Sequence, residues 1–168
     1  MLDTVAQAVV EALTGAGINA KKQYPLSWLD RGEGPVVCVG IKSAELSASG
    51  AGNYLGTKTD SDGNTRELYG VKAETVISMD IYSPAENGDG QAECLGCFQD
   101  MSAALAALPG GVRVNTLVCG QVKPDGVTEM MQCPCQAHCT VFLIGETAED
   151  STEFLDFTLK GVLKHGDR

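Results

Sequence analysis

Leu2, Val5, Ala6, Val9, Val10 and Leu13 recur at steps of three and four, with Gln7 and Glu11 off that stripe, which predicts a short amphipathic helix. Asp3 is placed to cap its start, and Gly15 or Gly17 to supply a left-handed stop. Residues 18–29 predict an extended piece running into the breaker-rich loop Asp30-Arg31-Gly32-Glu33-Gly34-Pro35. Val36, Val37, Val39 and Ile41 form a β-branched run, a strand composition, whereas the Ser, Ala and Gly of residues 43–52 predict a loop or a weak strand edge. Two phrases, Asn53-Tyr54-Leu55-Gly56 and Glu67-Leu68-Tyr69-Gly70, flank Asp60-Ser61-Asp62-Gly63-Asn64 and predict a hairpin around an Asp-Gly turn.

The clearest strand follows: Val71, Ala73, Thr75, Ile77, Met79 and Ile81 alternate with Lys72, Glu74, Ser78 and Asp80. Cys94, Cys97, Phe98, Met101, Leu105 and Leu108 return to helical spacing over roughly four turns, ending at Pro109-Gly110-Gly111. Strands are then expected at 112–118 and 130–144, around a turn at Pro124-Asp125-Gly126, with an acidic connector at 146–153. In residues 153–164, Leu155, Phe157 and Leu159 alternate as a strand, while Leu155, Leu159, Val162 and Leu163 also fit a helix; the strand is preferred. The element order predicts an α+β domain: a small antiparallel or mixed sheet flanked by two helices, as one domain over residues 1–168.

Composition narrows the function. The chain has 168 residues and a net charge of −10, from 12 basic and 22 acidic side chains, so it lacks the cationic surface that displaces counterions from DNA or RNA. The 43% apolar content suffices for one core and excludes wholesale disorder. No run of about 18 apolar residues exists to form a transmembrane helix. Met1-Leu2-Asp3 carries no basic lead-in to an apolar stretch, so a cytoplasmic chain with reduced thiols is expected, and the seven cysteines cannot all pair internally.

Those cysteines are the first chemical suspects. Cys94 and Cys97 have the two-residue gap of zinc and redox sites, and Cys133, Cys135, His138 and Cys139 cluster further on. Yet Cys94 and Cys97 lie in a helical apolar stripe. On an alternating strand, Met131, Cys133, Cys135, Ala137, Cys139, Val141 and Leu143 face one way, with Gln132, Gln136, His138 and Thr140 opposite. Core packing of small apolar thiols is therefore expected, without a metal. Cys94 lies beside Glu93 rather than at a helix start, which argues against a low-pKa thiol. A calcium loop opening at Asp60 would put Thr65 at its sixth position and Val71 at its twelfth, where Gly and Glu are required. Gly50-Ala51-Gly52 and residues 52–58 match neither a dinucleotide nor a phosphate-loop spacing. His138 and His165 are the only histidines, no nucleophile elbow is present, and Glu149 and Asp150 belong to the connector. No catalytic residue, cofactor site or enzyme activity is expected.

In order, Asn53-Tyr54-Leu55-Gly56, Glu67-Leu68-Tyr69-Gly70, Asp80-Ile81-Tyr82-Ser83-Pro84, the helix carrying Cys94, Met131-Gln132-Cys133-Pro134 and Phe154-Leu155-Asp156-Phe157 resemble the small tail proteins of prophages in Gram-positive anaerobic bacteria, similar to the tail terminator (tail completion) class. The resemblance covers most of the chain from about Asn53. It implies a non-enzymatic virion subunit that assembles into a ring, typically a hexamer, capping the tail tube and joining it to the head or neck. Implied partners are further copies of the chain, the tail tube protein, and sheath or neck proteins, with DNA passing through the ring. The implied location is the host cytoplasm during assembly and then the virion or tail-like particle. The hairpin with Tyr54, Asp62, Glu67 and Tyr69 is the candidate subunit contact, aromatics being favoured at interfaces. Two alternatives remain: a cytosolic cysteine-rich zinc or thiol protein built on Cys94, Cys97, Cys133, Cys135 and Cys139, or another neck or tube adaptor of a phage-like particle.

Overall fold

A computed structural model describes residues 2–22, 34–49, 53–84, 89–106, 108, 111–148 and 157–159. The chain runs α1 (Leu2–Gly15), β1 (Ala20–Lys22), β2 (Val36–Ala48), β3 (Tyr54–Thr59), β4 (Thr65–Pro84), α2 (Gly90–Leu105), β5 (Val112–Cys119), β6 (Lys123–Pro124), β7 (Met130–Cys133), β8 (Cys135–Ala148) and β9 (Phe157–Leu159). Helix α1 buries Val5, Ala6, Val9 and Leu13, the expected stripe. Its end is set by Gly17 at φ 83°, with Ile18 N–H donating to Leu13 O at 3.0 Å and Gly17 N–H to Thr14 O at 2.9 Å. Such a left-handed closure favours a residue without Cβ. Asp3 lies inside the first helical turn rather than capping it, and forms an ion pair with Lys22.

The architecture is α+β, but the sheet is not small: nine strands join it among the described residues. Its axis is β4, 20 residues long. The hairpin arm at 67–70 and the alternating strand at 71–81 are thus one continuous strand. Along one edge of β4 lie β3 and then β2; along the other lie β8 and then β7, all antiparallel. Beyond β8 come β5 at one end and β9 at the other, both antiparallel to it, and β1 adds in parallel to β2.

Strand boundaries depart from expectation at Pro134 and beyond Ile144, while residues 43–48 take the strand alternative. The Ser- and Ala-rich stretch after Ile41 is strand as far as Ala48, pairing with Val71, because the adjacent β4 supplies backbone partners whatever the side chains. One register shift between Ile41 and Ser43 accommodates it. The expected strand at 130–144 is divided by Pro134, which has no N–H for a ladder, and it then continues through the first residues of the presumed acidic connector to Ala148. In the C-terminal segment, strand is found at 157–159, while the other residues of 153–164, including Leu155 and Val162, lie outside the described residues.

The helices pack against the same side of the sheet. Val5, Val9 and Leu13 of α1 and Cys94, Cys97, Met101 and Leu105 of α2 meet Val37, Val39, Ile77, Met79, Ile81, Ala137 and Val141 in one core. At the end of β4 the buried Ser83 hydroxyl donates to the Glu93 carboxylate and so anchors the first turn of α2. On the other side, Val36, Cys38, Tyr82 and Met130 form a second, smaller buried cluster. No helix among the described residues is long and apolar enough to cross a membrane.

Candidate functional site

The hairpin that the sequence singles out and a sulfur cluster around Cys133 and Cys135 lie at separate places on the sheet. The hairpin turn is organised by Asp60, not Asp62. The Asp60 carboxylate accepts from the N–H of Asp62 at 3.0 Å and of Asn64 at 2.9 Å, and Gly63 takes φ 84°. These backbone donors hold the Asp60 carboxyl below its usual range. Both its oxygens are engaged by the turn, one of them by the Asn64 side-chain amide. Asp62 itself is exposed.

At the base of the hairpin Tyr54 pairs with Tyr69, their rings edge-on at 5.6 Å and 65°. The Tyr69 hydroxyl donates to Glu67 Oε2 at 2.6 Å, which keeps the phenol protonated to a higher pH than usual. Leu55 sits at a bulge and folds over Gly70, where a Cβ would come within 2.6 Å of Leu55 Cδ1. The two arms are not equivalent. β4 is paired on both sides, with Glu67 opposite Thr57 in β3 and Thr147 in β8, so Glu67 and Tyr69 lie on an interior strand. β3 pairs only with β4 among the described residues, and Tyr54 is half exposed. Of the four expected contact residues, Tyr54 and Asp62 therefore lie on the open part of the hairpin.

The sulfur cluster is built where β5 ends against the junction of β7 and β8. Gly120 N–H donates to Pro134 O at 2.8 Å, and a Cβ on Gly120 would lie 2.9 Å from Pro134 Cγ and 3.0 Å from Pro134 O. This approach brings Cys119 against the two cysteines that flank Pro134. Cys119 Sγ lies 3.1 Å from Cys133 Sγ, which lies 3.7 Å from Cys135 Sγ. Cys133 and Cys135 are fully buried, Cys119 partly so. The Cys119 and Cys133 thiols face Gly120 O at 3.4 and 3.7 Å, and the Cys135 thiol faces Cys133 O at 3.6 Å. Burial, with the neighbouring thiol of Cys119, pushes the Cys133 thiol up to about 12, and burial beside Cys133 pushes Cys135 higher still. On the opposite face of this junction, the half-buried Asp80 carboxylate accepts the Cys135 N–H; burial raises its pKa, and Lys42 partly offsets that.

Cys94, Cys97 and Cys139 are buried core residues, as the alternation and helical spacing imply, with thiols pushed up to about 11 by burial. His138 is exposed on the helix-free face, away from the sulfurs. It borders a depression of about 270 Å³ with Ser43, Glu45, Glu74 and Val76. That face carries a polar ladder: Lys72 pairs with Glu74 at 2.5 Å, Thr140 Oγ1 donates to Glu74 at 2.9 Å, and Asn115 donates to Thr140 at 2.8 Å. None of the seven cysteines forms a disulfide.

Cys119 carries no signal in the sequence that sets it beside Cys133 and Cys135. Simple alternation from Val112 puts it on the outward face; a register shift between Val114 and Thr116 reverses the phase, so that Leu117 and Cys119 join Val112 and Val114 against the core. No family model matches this chain, and no curated protein matches it in sequence.

Proposed function

We propose that the chain is a structural subunit of a ring-shaped assembly of the tail-terminator type, closing a tail tube and joining it to a head or neck. The observation that carries this reading is the open edge of β3. All but Gly56 of its six residues are exposed, and its outer backbone has no strand partner among the described residues. An exposed edge invites pairing with another chain. The same end of the sheet runs β3-β4-β8-β9, so β9 is the opposite edge of that four-strand unit. Pairing of β3 in one copy with a different edge of the next is a heterologous contact, the kind that closes into a ring when the rotation permits. Tyr54 and Leu55, both exposed at the start of β3, supply apolar area for the contact. A net charge of −10 suits a ring whose lumen passes DNA without retaining it.

Light scattering on the eluting protein, combined with negative-stain imaging, tests the proposal. A ring of defined stoichiometry that Tyr54→Ala or Leu55→Asp converts to monomer is expected. A chain that stays monomeric at high concentration overturns it.

A further inference from the structure

We infer that Cys119, Cys133 and Cys135 form a binding site for one thiophilic divalent metal ion, Zn²⁺ being the physiological choice. The three sulfurs converge within 4.8 Å of one another, although they come from the ends of three different strands. With separations of 3.1 Å, 3.7 Å and no more than 4.8 Å, a point exists about 2.4 Å or less from all three sulfurs. Zinc–thiolate bonds are about 2.3 Å long, so the ion fits with little movement of the backbone. Side-chain packing alone does not require this: a core sulfur can turn toward any apolar neighbour, whereas these three turn toward one another.

The surroundings select the metal. Among the described residues no imidazole or carboxylate joins the group, which disfavours hard cations and favours thiophilic ions. Each thiol that binds must release its proton to solvent, leaving three thiolates around a dication and a net local charge of −1. A monovalent ion would leave −2 in the same buried place, a heavier desolvation cost. The metal's own field offsets the burial that otherwise keeps these thiols protonated. Cys119 is only partly buried, which gives an ion a way in. The backbone contact of Gly120 with Pro134 fixes the relative position of β5 and the β7–β8 junction, and so the spacing of the three sulfurs.

The full chain, purified under reducing conditions and stripped with a chelator, is titrated with Co²⁺ and then with Zn²⁺. One equivalent of Co²⁺ is expected to produce thiolate-to-cobalt charge-transfer absorption, which Zn²⁺ displaces. Cys119→Ser, a change at a partly exposed strand end, abolishes the band, and Cys139→Ser, a core cysteine outside the trio, leaves it intact. Sulfur-shell analysis by X-ray absorption of the zinc-loaded wild type should find at least three sulfurs, a result independent of how any variant folds. The inference is overturned if the folded chain gives no band, if the band survives Cys119→Ser, or if fewer than three sulfurs surround zinc. A Cys119–Cys133 disulfide trapped by alkylation in protein never exposed to oxidant also overturns it.

Discussion

The N–H of Gly120 donates to the carbonyl of Pro134 at 2.8 Å, and the two backbones are so close that position 120 has no room for a side chain. Gly120→Ala would set its Cβ 3.0 Å from a backbone oxygen, a contact that only a backbone shift can relieve. Overpacking of this kind costs about 1–3 kcal/mol. Urea denaturation is expected to show that loss, with Cys119 becoming faster to alkylate as β5 moves off the junction.

Stability of the metal-free protein should fall as the solution becomes alkaline. The folded-state values of Cys94, Cys97 and Cys139 are about 11 and that of Cys133 about 12, against an ordinary value of 9.0. The folded chain therefore holds these protons more tightly than the unfolded chain. Their contribution is complete below pH 9.0 and is lost as pH rises toward the folded-state values. Denaturation midpoints measured from pH 7 upward should be flat at first and then decline. Midpoints that stay level through the alkaline range would contradict the burial of these thiols.

Removing the Asp60 carboxylate should loosen the hairpin without unfolding the domain. In Asp60→Ala the amides of Asp62 and Asn64 lose their acceptor, and their hydrogen exchange is expected to quicken while that of Ile77 and Met79 is unchanged. In the wild type, a folded-state value below the ordinary 3.8 means that this contribution is present above 3.8 and is lost as pH falls through the depressed value. The amide resonances of Asp62 and Asn64 should titrate together in that acid range.

Leu13 and Leu46 should respond oppositely to truncation. Leu13 is fully buried between α1 and the sheet, so Leu13→Ala should cost about 2–5 kcal/mol. Leu46 lies 53% exposed on β2, and Leu46→Ala should change monomer stability by no more than about 0.5 kcal/mol. Equal losses at the two positions would mean that Leu46 is covered in solution.

Much of this arrangement is legible in the chain because the signal is local. The three-and-four spacing of Val5, Val9 and Leu13, and that of Cys94, Cys97, Met101 and Leu105, is the geometry of a helix with one buried side. The alternation of Ala73, Thr75, Ile77, Met79 and Ile81 likewise defines the buried face of β4. What is not legible depends on a neighbour. Residues 43–48 have no apolar pattern of their own and become strand because β4 lies beside them. The phase of β5 depends on one extra residue near Asn115, which leaves no mark in composition.

The two helical stripes, the buried alternation, the Asp-Gly turn and the burial of Cys94, Cys97, Cys133, Cys135 and Cys139 are written in local residue order. Each follows from a period of 3.6 or 2, or from a turn requirement that a few adjacent residues satisfy alone. The packing of strands from distant parts of the chain is what places Glu67 and Tyr69 on an interior strand, Tyr54 at an edge among the described residues, and Cys119 against Cys133 and Cys135. Strand neighbours and register are settled by contacts between residues far apart in the chain, and one bulge is enough to reverse which side of a strand faces the core.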